Sequence, residues 1–372
     1  MLTASGGCDG RALSVAFDHS IFAAQRQGGV SRYFCELASN LSAGGVDVSI
    51  RAPIFVTDAL RGSHANVRIE GAHVPVFPGV TLLGNVAASI WRGTQTADIV
   101  HATWYPDRRP VGAKIFAITI HDMIAETYPE QVRAAERQSR LKAAAASQAD
   151  LVLCVSENTK RDVVRLLGIN EHKIAVTPLA SRIGSLPPAS FASDVPYILY
   201  VGQRGGYKNF DALALAFLSS SLLRNHFRLL CFGGGPVTTQ ERELISKAPA
   251  SGAGSIHFLS GNDQLLAAVY RGAVAYVCTS LYEGFGLPVI EAMSCGCPVV
   301  ASSGGSIPEV GGDAAEYVAA PTNEAFRALL ERLLFDAERL MELSKHGLAR
   351  SQEFSWQTTA QVTLDAYLGA SA

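Results

Sequence analysis

The feature of the sequence that most constrains the fold is residues 275–301, where apolar runs alternate with glycine and proline. Residues 275–279 (AYVCT) are apolar and partly β-branched, which is typical of a parallel strand buried on both faces. A loop with two glycines follows, and Pro288 stands where the first residue of a helix is expected. Gly296 ends that helix, and a second apolar run begins directly after it. The segment therefore predicts a strand–loop–helix–strand unit of a parallel α/β sheet.

The loop and helix of this unit carry two carboxylates. Glu283 lies in the loop and Glu291 in about the first turn of the helix. The first backbone N–H groups of a helix have no partner within it, and they favour negative charge. We therefore expect the amides of Phe285, Gly286 and Leu287 to form an anion site.

Length and composition indicate a globular chain of more than one domain. The chain has 372 residues, which at about 150 residues per domain suggests two or three. The net charge is −2, with 31 basic and 33 acidic residues, and this argues against a nucleic-acid partner. The seven cysteines are scattered and lack partners at zinc spacing, so we expect buried thiols in a reducing cytosol and no metal.

The sequence shows no targeting or membrane-spanning segment. Residues 1–11 lack the apolar core of a signal peptide, and no run approaches the roughly 20 apolar residues of a spanning helix. We therefore expect a cytoplasmic protein. Arg133, Arg137 and Arg140 fall at helical spacing within residues 129–148, and they form either a solvated face or a contact with anionic lipid.

The first half of the chain alternates strands and helices. A strand over 12–17 is followed by Gly28 and Gly29, an amphipathic helix and a second strand, which is a doubly wound start. The glycines allow backbone to approach a ligand, or they form only a tight turn. Residues 51–97 have no clear pattern.

Two polar residues in this half directly follow buried strands. His121 ends the strand predicted over 115–120, and the carboxyl ends of parallel strands face the ligand crevice of α/β proteins. The alternative is a core histidine that a neighbour satisfies. Ser156 follows the next strand, where it either caps a helix or contacts a ligand.

A break over 181–196, with two consecutive prolines, separates the halves. The alternation then restarts, and a glycine-rich loop over 202–209 presents Arg204 and Lys208. Cations beside flexible backbone suit a diphosphate. The chain contains no Asp-x-Asp pair, so a metal-chelating route for that diphosphate is unsupported.

Several motifs in order along the chain carry a family resemblance. Residues 283–292 (EGFGLPVIEA) resemble the E-x7-E signature of retaining GT-B glycosyltransferases of family 4 (GT4). The further motifs are GGVSRY at 28–33, HATWY at 101–105, TIHDM at 119–123, VGQR at 201–204, YKN at 207–209 and PEVGGDAA at 308–315. The set is similar to mannosyltransferase-like members that build bacterial surface polysaccharides.

The resemblance implies a two-domain GT-B fold. Two Rossmann-like domains would face each other across a cleft, over residues 1–183 and 184–355. A last helix, within 356–372, would cross back onto the first domain, with Trp356 as its anchor or as an ordinary core residue.

The resemblance also implies roles in donor binding. Arg204 and Lys208 would hold the diphosphate together with the amides of residues 285–287. Glu283 would contact the donor sugar, and Glu291 the ribose. In the usual Arg-Lys-Asn of this loop the arginine is replaced by a tyrosine here, so one cation is absent.

The first domain would supply the opposite wall. The resemblance implies that His121 hydrogen-bonds the donor sugar near its reacting centre and that Ser156 lines the cleft. Gly28 and Gly29 would close over the diphosphate or the acceptor.

The implied activity is a retaining, metal-independent hexosyl transfer without a cofactor. GDP-mannose is the expected donor, with UDP- or dTDP-sugars as alternatives, and a lipid-diphosphate-linked glycan is the expected acceptor. Peripheral contact with the inner face of the cell membrane would follow. A sugar-nucleotide epimerase, a phosphorylase or a non-catalytic scaffold on the same fold is the competing interpretation.

Overall fold

The computed structural model describes residues 12–61, 66–90, 97–110, 112–187, 189–249 and 252–371. The chain divides into two compact units. Unit 1 comprises Met1–Leu179 with Trp356–Ala372, and unit 2 comprises Ala180–Ser355. Each unit holds one parallel sheet flanked by helices, which confirms the predicted pair of Rossmann-like domains.

The sheet of unit 1 has seven strands in the order β3-β2-β1-β4-β5-β6-β7, and every neighbouring pair is parallel. The strands are β1 (Ser14–Phe17), β2 (Asp47–Phe55), β3 (Arg68–His73), β4 (Ile99–Ala102), β5 (Ile115–Ile120), β6 (Leu151–Cys154) and β7 (Ile174–Val176). The chain reverses its direction of progress between β1 and β4, and ligands of such sheets bind at that position.

The helices of unit 1 before the break are α1 (Ser20–Ala24), α2 (Gly29–Ala43), α3 (Val80–Ile90), α4 (Ile124–Thr127), α5 (Ala135–Gln148) and α6 (Glu157–Leu167). The expected helix over 129–148 was too long. Pro129–Gln131 form a separate 3-10 turn, and Ala134 has a left-handed φ of 56°, so the α-helix begins only at Ala135. Of the three arginines, Arg133 therefore precedes the helix, and all three are exposed.

Unit 2 repeats the topology with six strands in the order β10-β9-β8-β11-β12-β13, again all parallel. The strands are β8 (Tyr197–Val201), β9 (Arg228–Phe232), β10 (Ile256–Leu259), β11 (Ala275–Cys278), β12 (Val299–Ala301) and β13 (Ala315–Tyr317). Here the order reverses between β8 and β11.

The helices of unit 2 are α7 (Phe210–Ser219), α8 (Ser221–His226), α9 (Thr239–Ile245), α10 (Asp263–Gly272), α11 (Leu287–Ser294), α12 (Ile307–Gly311), α13 (Asn323–Leu333) and α14 (Ala337–Ser351). Phe210, Phe217, Phe326 and Leu330 fill a core between α7, α13 and the sheet. This packing fixes the ends of β8 and β11, from which the loops over 202–209 and 279–286 extend.

The last helix, α15 (Trp356–Ser371), belongs to unit 1, as expected for a GT-B chain. The Tyr367 hydroxyl lies 2.6 Å from Nδ1 of His101, and both residues are fully buried. The ring centroid of Trp356 lies 6.1 Å from that of Tyr33 on α2. Aromatic packing and a buried hydrogen bond therefore attach the end of the chain to the first sheet.

Candidate active site

Two loops of unit 2 meet where the strand order reverses. Residues 202–209 follow β8, and residues 279–286 follow the neighbouring strand β11. The amide of Leu281 donates to the carbonyl of Tyr207 at 2.7 Å, and the Thr279 hydroxyl donates to the carbonyl of Lys208 at 2.6 Å. Hydrogen bonds to two backbone carbonyls therefore join the loops at the place where doubly wound sheets bind ligands.

These bonds place Lys208 against Glu283. Nζ of Lys208 lies 2.6 Å from Oε1 of Glu283, and the Ser280 hydroxyl donates to the same oxygen at 2.6 Å. Burial lowers the pKa of the Lys208 ammonium, but the charge and hydrogen bond of Glu283 together with Tyr207 and Cys278 raise the pKa overall. The site thus contains a charged lysine with a single carboxylate partner among the described residues.

A glycine loop that the sequence analysis did not single out supports Glu283. The amide and hydroxyl of Ser306 donate to the carbonyl of Glu283 at 3.1 and 3.0 Å. A Cβ on Gly305 would lie 2.4 Å from that carbonyl, and one on Gly304 would lie 2.2 Å from the carbonyl of Leu281. Only glycine allows this approach. The signal available in the sequence was a Gly-Gly pair two serines after strand β12.

Arg204 is directed to a different partner. Its Nε donates to Oε1 of Glu241 at 2.5 Å, and its two terminal nitrogens donate to the carbonyls of Gly233, Gly235 and Pro236 at 2.6, 2.9 and 3.2 Å. The whole side chain is buried. Its predicted contact with a diphosphate stays a prediction, since here the guanidinium holds the triglycine loop after β9.

The helix after the second loop begins as the sequence predicted. Gly286, with a φ of 92°, is the N-cap of α11, a backbone conformation that disfavours any side chain. Phe285 is buried, and its ring packs against Phe354 with centroids 5.7 Å apart. Glu291 is buried one turn along, and its Oε2 accepts from the Tyr270 hydroxyl at 3.2 Å. Tyr270 is a positioning contact that sequence reasoning missed.

In unit 1, His121 follows β5 as predicted. Its ring meets those of Tyr33 and Phe34 edge to face, with centroids 5.0 and 6.1 Å apart. Nε2 is buried and has no hydrogen-bond partner within the described part of the chain. Burial lowers the pKa of His121 to about 4, opposed by the charge of Asp122 and assisted by that of Lys142. The imidazole is therefore neutral at pH 7 and able to donate or accept.

Ser156 is the N-cap of α6. Its Oγ accepts from the amide of Thr159 at 3.0 Å, and its hydroxyl lies 3.1 Å from Oγ1 of the same residue. The side chain is fully buried. The capping alternative is thus observed, and its predicted contact with the donor stays a prediction.

Gly28 is the N-cap of α2. A Cβ there would lie 2.1 Å from Cδ of Gln25, whose Oε1 accepts from the amide of Ser31 at 3.1 Å. Gly28 thus makes room for a side chain that caps the helix. Gly29 next to it has open space around its Cα, so backbone remains accessible there.

Two family models cover most of the chain. Residues 187–350 match glycosyl transferases group 1, and residues 27–180 match glycosyltransferase family 4. O-antigen chain mannosyltransferase B of Escherichia coli is 33% identical over 271 residues, which cover 67% of this chain and 69% of that protein. The chain belongs to glycosyltransferase family 4.

Another relative of this glycosyltransferase is named for a different activity. Alpha-maltose-1-phosphate synthase of Mycolicibacterium smegmatis is 27% identical over 347 residues, covering 82% of this chain and 89% of that protein. The structure of sucrose-phosphate synthase from Thermosynechococcus elongatus superimposes with a TM-score of 0.74 at 21% identity, covering 95% of this chain and 98% of that one. The shared fold is GT-B.

The described ranges of the glycosyltransferase contain no group of three or more His, Cys, Asp or Glu side chains arranged to hold a metal ion. None of the helices described is both long and apolar enough to cross a membrane.

Proposed function

We propose that this glycosyltransferase moves mannose from GDP-mannose to a lipid-diphosphate-linked glycan, with retention of the anomeric configuration, in the synthesis of a bacterial surface polysaccharide. The similarity to an O-antigen mannosyltransferase supports the sugar and the pathway class. The observation that carries the chemistry is the Lys208–Glu283 pair beside the N-terminus of α11.

The pair suits the charges that develop during transfer. Breaking the anomeric bond places negative charge on the departing nucleoside diphosphate and positive charge on the sugar ring. A donor fixed toward the leaving group contributes about 3–4 kcal/mol by analogy with oxyanion holes. Lys208 and the amides of residues 285–287 would supply such donors without a metal ion.

Binding of the donor would exchange the partner of Lys208. A diphosphate that reaches the ammonium replaces the carboxylate of Glu283, which is then available to the sugar. Ser280 keeps Glu283 in place during this exchange, because its hydroxyl donates to the same carboxylate oxygen. The sugar would then be attacked from the face of the leaving diphosphate, or through a covalent intermediate.

Glu291 and His121 complete the proposed donor contacts. Glu291, oriented by Tyr270, would accept hydrogen bonds from the ribose hydroxyls. His121 would use a neutral ring nitrogen to bond the donor sugar near its reacting centre, since its pKa is lowered to about 4 by burial. Neutrality avoids placing a cation beside the positive charge of the transition state.

Thermal unfolding with GDP, UDP, dTDP and ADP tests the donor. GDP should raise the unfolding midpoint most. A second assay should then show transfer of radiolabelled mannose from GDP-mannose to a lipid-linked acceptor. Stabilisation by UDP alone would contradict GDP-mannose as the donor and would favour a UDP-sugar. Recovery of an isomerised sugar nucleotide without acceptor would indicate an epimerase.

A substitution separates an enzyme from a scaffold. Glu291→Ala should weaken nucleotide binding and lower turnover, because it removes the proposed ribose contact. Glu338→Ala is the matched control, since Glu338 is an exposed glutamate on α14 in the same unit. Equal turnover in the two variants would remove Glu291 from the site.

Peripheral contact with an anionic membrane surface is the second part of the proposal. Side chains on and before α3 are unusually exposed for apolar residues, with Leu82 at 69%. The others are Val76, Phe77, Leu83 and Val86. Exposed apolar clusters of this kind mark interaction surfaces.

Sedimentation with phosphatidylglycerol and with phosphatidylcholine vesicles tests this contact. Arg133, Arg137 and Arg140 of the same unit are exposed and would attract anionic lipid, so more protein should sediment with the anionic vesicles. Leu82→Ser/Leu83→Ser should abolish sedimentation if the apolar cluster is the contact. Met341→Ser is the control, because Met341 is 67% exposed in unit 2. If both variants still bind the vesicles, the proposed lipid contact at α3 is wrong.

A further inference from the structure

A buried lysine lies beneath the segment that carries His121. Lys142 on α5 is 1% exposed. Its Nζ donates to the carbonyl of Asp122 and to Oε2 of Glu126, both at 2.8 Å. Burying an ion pair costs several kcal/mol of desolvation for each ion, so apolar residues of similar volume would usually serve stability as well. The pair therefore calls for an explanation other than stability.

The bonds of Lys142 all point to the chain directly after β5. Asp122 is the residue after His121, and Glu126 lies on α4, a helix of only four residues. A single helical turn is not stable without tertiary support. Lys142 supplies that support from α5, and it fixes the peptide group between Asp122 and Met123, one residue beyond His121.

Other charged and titratable groups surround the His121 ring. Asp122 and Lys142 act on it directly, and its own charge would in turn act on His101. Tyr33 packs on the ring. Lys142 Nζ lies 5.7 Å from the centroid of the Tyr105 ring, and Tyr105 forms a hydrogen bond with the backbone of His121. Among these groups Lys142 is the one buried cation. Its charge opposes a second positive charge on the imidazole.

We propose that Lys142 is a positioning residue that fixes the His121 segment for contact with the substrate, and that its charge acts on the imidazole in addition to burial. The contact itself rests on the proposed function; the effect on His121 does not. Glu126 serves as the counter-charge, and its Oε1 has no hydrogen-bond partner in the described structure. Loss of Lys142 would therefore leave a buried carboxylate unpaired.

An NMR titration of the histidine ring tests the electrostatic half directly. In Lys142→Met the midpoint of His121 should move to higher pH than in the wild type, with the His121 signal assigned from His121→Gln. Lys142→Met/Glu126→Gln removes the stranded charge as well, and it carries the test if the single variant fails to fold. An unchanged midpoint in a folded variant overturns the proposal.

Lys114→Met is the matched control. Lys114 also lies 2.8 Å from a carboxylate, that of Asp98, but it precedes β5 and stands at the opposite end of the strand from His121. It should leave the His121 midpoint unchanged. A shift of equal size in this variant would show that any lost lysine has the effect, which contradicts the proposal.

Steady-state kinetics test the positioning half. Misplacement of a substrate-contacting group by about 1 Å can cost up to a hundredfold in rate. We expect Lys142→Met to lower kcat by about tenfold or more at neutral pH, with a smaller change in KM for the donor and an acid limb at higher pH. Wild-type kcat with the wild-type pH profile would overturn this half. Failure of the wild type to transfer mannose would instead count against the proposed function, while the NMR result still decides the role of Lys142.

Discussion

Arg204 and Lys208 stand four residues apart on one loop, and each forms an ion pair with a glutamate. The two N–O distances are almost equal, at 2.5 Å for Arg204–Glu241 and 2.6 Å for Lys208–Glu283. The environments differ. The side chains of the arginine pair are 2% and 9% exposed, whereas those of the lysine pair are 18% and 12% exposed.

The number of partners explains what the difference means. Arg204 also donates to three backbone carbonyls and lies over the Phe258 ring at 4.8 Å. A phosphate could take it only by breaking several buried bonds at once. Lys208 lies over the Tyr207 ring at 5.2 Å, but Glu283 is its one hydrogen-bond partner among the described residues. We therefore expect Arg204 to hold the fold and Lys208 to be available to a ligand.

The largest expected effect is on stability. Arg204→Met should lower the free energy of unfolding by about 3–5 kcal/mol, because it leaves Glu241 buried without its counter-charge. Urea unfolding measures this value. Arg204→Met/Glu241→Met should recover most of the loss. Full stability in the single variant, with loss of nucleotide binding, would show that Arg204 binds the diphosphate and does not hold the fold.

Lys208→Met should act on catalysis instead. We expect kcat/KM to fall by about a hundred- to a thousandfold, or roughly 2.7–4 kcal/mol, since a fixed donor to the leaving group is lost. The thermal midpoint should change less than in Arg204→Met, because Glu283 keeps its bond from Ser280 and Lys208 makes one hydrogen bond where Arg204 makes four. A variant that unfolds as readily as Arg204→Met would show that both pairs are structural.

His101 in unit 1 is a further buried group whose partners serve the fold. Both its ring nitrogens have partners, Thr119 at 2.9 Å and Tyr367 at 2.6 Å, and burial together with the charge of His121 lowers its pKa to about 3. The unfolded chain takes up this proton near pH 6.5, so stability is complete above that pH and is lost as pH falls toward 3. Because of His101, the free energy of unfolding should fall by about 1.4 kcal/mol between pH 7.5 and pH 5.5.

Urea unfolding at the two pH values checks this expectation, with His101→Asn as the comparison. The variant should be less stable at pH 7.5 but should lose less on acidification. An identical pH dependence in the two proteins would mean that His101 takes up its proton without unfolding.

Tyr270→Phe should have the smallest effect. It removes one hydroxyl that donates to Glu291 at 3.2 Å, so we expect a loss of about 1 kcal/mol in nucleotide affinity, or several-fold in Kd. Tyr317→Phe removes a comparable bond, to the carbonyl of Gly312 at 2.9 Å, and should leave Kd unchanged. Equal Kd values in the two variants would separate Tyr270 from the donor site.

Several features of the site could be predicted because they depend on local pattern. The buried run at 275–279 became β11, Gly286 became the cap of α11, and His121 followed β5. Backbone sterics and burial act over a few residues, so the sequence records them directly. The start of α5 was wrong by six residues, because a left-handed Ala134 leaves no sequence signal.

The sequence by itself determined two doubly wound sheets, the order of their loops and the family of the protein. Tertiary packing was needed to show which cation of the loop over 202–209 faces Glu283, that Gly304 and Gly305 support this glutamate, and that Lys142 lies beneath the His121 segment. The reason is physical. Strand and helix follow from residues close together in the chain, whereas the charge that a side chain meets comes from residues brought near only by the packing of distant elements.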